Sequence, residues 1–128
     1  MNKRSGKLAS VGVAVGTIAA LALSGTAHAE ASWESSISGA NSGFESRTWY
    51  DNNMDSTNGY LWFSRCNYSP TVAVYREATG PDVEVARGKI TCNGGDGYLY
   101  FGDVAKGNYH FTIKSSGTLN VSRLVVVY

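Results

Sequence analysis

From residue 57 onward, short runs of alternating hydrophobic and polar side chains are separated by turn residues. Tyr109, Phe111 and Ile113, for example, alternate with polar neighbours, as in a strand with one buried face. Turn-forming Gly, Pro, Asn and Asp separate the runs at intervals of roughly ten residues. The predicted strands lie in GYLWFSRC (59–66), TVAVYREA (71–78), VEVARG (83–88), KITC (89–92), YLYFGDV (98–104), NYHFTIK (108–114) and LNVSRLVVVY (119–128). No run has helical spacing, so the pattern predicts an all-β protein, a small antiparallel β-sandwich or barrel.

The final run differs from the others because LVVVY (124–128) is apolar at consecutive positions. A strand with two apolar faces is usually central in its sheet, or it is an edge strand covered by a partner.

The first 29 residues have the pattern of a secretory signal peptide. Lys3, Arg4 and Lys7 precede an uncharged apolar stretch, and small residues at 27–29 suit a cleavage site. A membrane anchor is the alternative, because the apolar stretch is just long enough to span a bilayer. We expect cleavage after Ala29, which leaves a secreted, extracellular chain with no further membrane-spanning segment.

Cleavage also changes the charge. Of the 11 Lys and Arg residues, three leave with the signal, so eight remain against 10 Asp and Glu, a net charge of −2. A slightly acidic chain without a basic cluster argues against nucleic acid as a partner.

Cys66 and Cys92 are the only cysteines in the chain. An even pair in an exported domain of this size predicts an intramolecular disulfide. Paired metal-binding thiolates are the alternative, but no histidine or third cysteine lies nearby in the sequence.

No residue pattern predicts catalysis. His110 is the only histidine after residue 28, and its position in the alternation predicts a solvent-facing strand residue. No nucleophile elbow accompanies it, and Asp82, Asp96 and Asp103 lie at turns, where Asp is favoured for local backbone hydrogen bonds. We therefore expect a protein that is not an enzyme and binds no cofactor.

Residues 51–58, DNNMDSTN, resemble the start of a calcium-binding loop. Ser56 stands where an EF-hand requires Gly, and Trp62 stands where it requires the bidentate Glu. The segment is predicted to be a polar loop, with a looser calcium site as the alternative.

Aromatic residues are numerous for so small a domain. They can build the core, or they can be exposed and stack on the sugar rings of a carbohydrate ligand. The residues considered for this role are Trp49, Tyr50, Tyr60, Trp62, Tyr68, Tyr98 and Tyr100.

Residues 30–45 depart from the strand rhythm. They carry Trp33, Ile37 and Phe44 at irregular spacing among Ser and Gly, and Trp49 follows shortly after. Such a segment is typical of an extended arm that becomes ordered on a protein partner, with these four side chains as partner-binding anchors. Its deletion would then leave the domain, residues 46–128, folded. The alternative is an N-terminal strand of the sandwich itself.

The layout also resembles a known family. A signal peptide, the anchor-bearing stretch SWESSISGANSGFES and a one-disulfide β-domain resemble the small adaptor subunit of streptomycete umbrella toxin particles. The resemblance implies a non-enzymatic adaptor that joins a lectin-bearing, trypsin-like subunit to the repeat region of a large toxin chain. It further implies that residues 30–44 insert into the trypsin-like partner. A carbohydrate- or cell-wall-binding module is the alternative.

Overall fold

The computed structural model describes residues 31–53 and 58–128, and the predicted signal peptide lies outside them. The described residues form an all-β fold of eight strands without a helix. The strands are β1 (Ser32–Ala40), β2 (Trp49–Asp51), β3 (Gly59–Cys66), β4 (Thr71–Arg76), β5 (Val83–Lys89), β6 (Asp96–Gly102), β7 (Gly107–Ile113) and β8 (Leu119–Val127).

Two four-stranded antiparallel sheets pack as a sandwich. Sheet 1 has the order β1-β8-β3-β6, and sheet 2 has the order β2-β7-β4-β5. The predicted fold class is therefore confirmed. The doubly apolar strand β8 is central in sheet 1, between β1 and β3, as one of its two sequence interpretations required.

The sandwich core consists of the inward-facing side chains of both sheets. Alternation places Leu61 and Phe63 of β3 inward, and Val72 and Val74 of β4 meet them from the other sheet. The stretch KITC is the one predicted strand that differs, because only its Lys89 belongs to a strand, the end of β5. Ile90 and Cys92 are nevertheless buried, which explains the strand-like hydrophobicity of this connection.

The segment predicted to be an N-terminal arm is instead strand β1 of the sandwich. Ser32–Ala40 pairs along β8, with Trp33 opposite Val126 and Ile37 opposite Val121. Backbone hydrogen bonds of 2.9 and 3.0 Å between Ala31 and Tyr128 extend the ladder. Register shifts lie on either side of Ile37, and the third predicted anchor, Phe44, lies beyond the end of β1, so the three anchors do not follow one regular strand period. The alternative interpretation, a strand of the sandwich itself, describes this segment.

The disulfide prediction is confirmed. Cys66 at the end of β3 and Cys92 in the connection before β6 are joined by an S–S bond of 2.02 Å, and both are buried. The Cys66 N–H also donates to the Cys92 carbonyl oxygen at 2.8 Å. The bond thereby ties the β5–β6 connection to the end of β3.

Replacing both cysteines by alanine should lower the free energy of unfolding by about 3 to 4 kcal/mol. Without the cross-link between residues 26 positions apart, the unfolded chain gains conformational entropy. Urea denaturation of the double variant Cys66→Ala/Cys92→Ala beside the oxidised wild type measures this. A difference below about 1 kcal/mol would contradict the assigned role of the disulfide.

Candidate functional site

The outer surface of sheet 1 carries a cluster of aromatic side chains. In β3 and β6 alternate residues point away from the core, so the register places Tyr60 opposite Tyr100 and Trp62 opposite Tyr98. We call these four residues the aromatic face. Tyr98 is 50 % exposed and Tyr100 is 62 % exposed, whereas Tyr60 and Trp62 are half-buried. The cluster is a consequence of two similar sequences, GYLWF and GYLYF, pairing as neighbours.

Three of the rings form a compact group, here called the tyrosine triad. The ring centroids of Tyr60, Tyr98 and Tyr100 lie 5.6 to 5.9 Å apart. The Tyr98 and Tyr100 rings are nearly parallel, at 12°, and Tyr60 is tilted against them by 60° and 51°. These separations are typical of favourable aromatic contacts, so the rings support one another in place.

The Tyr60 phenol of the triad is neutral at physiological pH. Burial raises the pKa of Tyr60 above its ordinary value, and the neighbouring phenols of Tyr98 and Tyr100 raise it further. A neutral phenol keeps its proton and can donate as well as accept a hydrogen bond.

Charged groups border the aromatic face on the same surface. The Arg123 guanidinium lies 5.3 Å from the centre of the Trp62 ring, and its Nη2 lies 3.1 Å from Oε1 of Glu34. Asp96, two residues before Tyr98, accepts a 2.6 Å hydrogen bond from the Ser64 hydroxyl. Val125 and Val127, opposite Trp62 and Tyr60 on β8, continue the apolar surface and are half-buried. The surface therefore has an aromatic centre and a polar border.

The four residues predicted to bind a partner lie elsewhere. Trp49 and Ile37 are 2 % and 6 % exposed, and both belong to the sandwich core. The Trp33 ring packs 6.0 Å from that of Trp49 and 6.5 Å from that of Phe111. Only Phe44 is substantially exposed. The predicted anchors are thus in large part the core side chains of β1 and β2.

A small cleft does bring three of these residues together. A cavity of about 120 Å³ lies between β1 and the segment 44–47, and Trp33, Ile37 and Phe44 line part of it. Arg47 lies at this cleft with its guanidinium 4.9 Å from the centre of the Trp33 ring. At about 120 Å³ the cleft is small, so it is a weaker candidate site than the aromatic face.

His110 lies on the outer surface of sheet 2, as its alternation predicts, but it is only 5 % exposed. Its Nδ1 lies 3.1 Å from Glu77 Oε2, and its Nε2 lies 4.0 Å from carboxylate oxygens of Glu45 and Asp82. The Tyr75 ring stacks on it at 5.6 Å. The prediction of a solvent-facing histidine is wrong because these neighbouring side chains cover the imidazole.

The structure describes only part of the segment considered for calcium, since residues 54–57 lie outside the described ranges. Within the described part, the Asn53 N–H donates to Asp51 Oδ1 at 2.8 Å, the pattern of an Asx turn. Among residues 31–53 and 58–128, no three His, Cys, Asp or Glu side chains are placed to share a metal ion.

The chain matches no protein-family profile and no curated protein sequence. Among the described residues, no helix is long and apolar enough to cross a membrane.

Proposed function

We propose that this chain is a secreted, non-enzymatic adaptor that binds a protein partner through the aromatic face. The observation that carries the proposal is the collection of Tyr60, Trp62, Tyr98 and Tyr100 on one outer sheet surface, with Arg123 beside them. Tyr, Trp and Arg are the residues most enriched among the energetic centres of protein interfaces. The cleft between β1 and residues 44–47 includes none of these four side chains, which offer an open surface rather than a small-molecule pocket.

The docking element differs from the one that the sequence suggested. Ile37 lies in the core and Trp33 packs against it, so β1 is part of the sandwich. We therefore assign partner binding to the aromatic face instead. The partners implied by the resemblance, a lectin-bearing trypsin-like subunit and a repeat-containing toxin chain, remain the partners that we propose.

The proposal also includes export and a non-enzymatic role. The signal-like first 29 residues and the disulfide both suit an extracellular chain. His110 supports a non-enzymatic role, because a general base must reach its substrate, whereas this imidazole is enclosed by Glu45, Glu77 and Asp82.

A carbohydrate is the second candidate ligand. The nearly parallel rings of Tyr98 and Tyr100, 5.9 Å apart and half exposed, could stack on sugar rings, and their hydroxyls could bond to sugar hydroxyls.

The variant Tyr98→Ser/Tyr100→Ser should recover at least tenfold less partner than the wild type when tagged protein is incubated with culture supernatant of the producing organism. Each lost ring removes buried contact area of the kind that costs about 2 kcal/mol or more at an interface centre. The yield of each co-purified protein is measured by quantitative mass spectrometry.

Tyr50→Ser is the matched control, because Tyr50 is 51 % exposed on the outer surface of sheet 2. The control should recover wild-type amounts of partner. Equal recovery by both variants, with thermal transitions unchanged, would refute the proposed binding surface.

A further inference from the structure

We propose that the tyrosine triad binds the cationic end of an arginine or lysine side chain presented by the protein partner. The inference rests on the proposed function and specifies the chemistry of the partner at the centre of the interface.

The first support is the arrangement of the rings. Tyr60, Tyr98 and Tyr100 are mutually tilted or parallel at centroid distances of 5.6 to 5.9 Å, so one cation can approach more than one ring. An aromatic ring attracts a cation to its electron-rich face, and clusters of such rings are a recurrent way to recognise organic cations.

The second support is that other aromatic rings of this protein already have a cation. Among the described residues, the cation–ring contacts are made by Arg47 with Trp33, Lys114 with Tyr75 and Arg123 with Trp62, at 4.9, 5.6 and 5.3 Å. None of these three contacts involves the triad. Within residues 31–53 and 58–128, the chain's own cations therefore leave the triad rings open to a cation from a partner.

The third support is charge. Asp96 lies two residues before Tyr98 and points to the same side of the strand, beside the triad. The nearby Arg123 is paired with Glu34, which largely offsets its repulsion of an incoming cation. The expected net charge of −2 after signal cleavage also favours a basic partner. The charged groups beside the triad and the faces of its rings therefore both attract a cation.

The probe is N-acetyl-arginine amide, and its matched neutral analogue is N-acetyl-citrulline amide, which has nearly the same shape without the charge. Each is titrated into the intact secreted protein while the tyrosine ring resonances are followed by NMR. We expect the arginine amide to shift resonances of the triad at millimolar concentration and to bind at least about threefold more tightly than the citrulline amide.

Variants at Tyr98 test whether the aromatic ring or the hydroxyl is needed for binding of the arginine amide. Tyr98→Phe keeps the ring and should retain binding of the arginine amide, whereas Tyr98→Leu should weaken it about threefold or more. Tyr50→Leu, on the other sheet, should leave it unchanged. The thermal transition of each variant confirms that the fold is intact.

Equal binding of the two amides would overturn the inference, and so would stronger shifts of the triad by a neutral disaccharide such as cellobiose. These outcomes are distinct from failure of the adaptor proposal. If the arginine amide binds at the triad but partner recovery does not depend on Tyr98 and Tyr100, the adaptor proposal fails. If recovery depends on them but charge does not matter, only the cation inference fails.

Discussion

Deleting residues 30–44 should unfold the domain at room temperature or remove its cooperative thermal transition. Strand β1 supplies Ile37 and Ala40 to the core and packs Trp33 against it, and full burial of a large apolar side chain such as Ile37 stabilises by roughly 1.5 to 3 kcal/mol. Deletion of β1 also leaves β8 as an exposed edge strand, and a long apolar edge strand promotes aggregation. Because a domain of this size is stable by only about 5 to 15 kcal/mol, the combined loss is of the same order as the whole stability.

Circular dichroism during thermal unfolding measures this, with single substitutions in the same strand as controls. Ile37→Ala should lower the free energy of unfolding by about 2 to 4 kcal/mol. Ser38→Ala, at an exposed neighbouring position, should change it by less than about 0.5 kcal/mol. A truncated chain with a wild-type transition would show instead that residues 30–44 are a dispensable arm.

Gly97→Ala should be the most damaging single methyl addition in β6, lowering the free energy of unfolding by about 3 kcal/mol. A β-carbon at this inward-facing position would lie 2.4 Å from the Thr91 carbonyl oxygen and 2.9 Å from Ile90 Cγ2. The obstructing backbone cannot move away easily, because the Ile90 N–H donates to the Pro70 carbonyl oxygen and Cys92 is held by the disulfide.

Gly95→Ala is the matched control two residues earlier. A β-carbon at Gly95 would have no neighbour within 4 Å, so this variant should differ from the wild type by less than about 0.5 kcal/mol. Urea denaturation of both variants gives the comparison. Equal stability of the two variants would contradict the close approach of β6 to the β5–β6 connection.

Most of the fold was predictable because period-2 alternation and turn residues dominate the chain after residue 57. The stretch GYLWFSRC coincides with β3, and LNVSRLVVVY contains β8. That residues 32–40 form a strand was not predictable from the sequence. Polar Ser35 occupies the position between the inward-facing Trp33 and Ile37, and register shifts flank Ile37. Pairing with β8, about 90 residues away in the chain, decides the structure of this segment, and composition does not report on such pairing.

The candidate site was predictable only in part. Alternation alone puts Tyr60 and Trp62 on one side of their strand and Tyr98 and Tyr100 on one side of theirs. That the two strands are neighbours, with these sides on the same surface, depends on sheet order, which the sequence did not provide. The burial of His110 was likewise not predictable from the sequence, because the residues that cover it, Glu77 and Asp82, come from the connection between β4 and β5.

The central claim is that the aromatic face is the surface that binds a protein partner. Photo-cross-linking tests it most directly, with p-benzoylphenylalanine introduced at position 98 in one variant and at position 50 in another. Both positions are about half exposed, on opposite sheets. We predict that illumination in culture supernatant of the producing organism yields a discrete cross-linked protein from position 98 and none from position 50. Cross-linking to a partner from position 50 alone, or from neither position, would contradict the account.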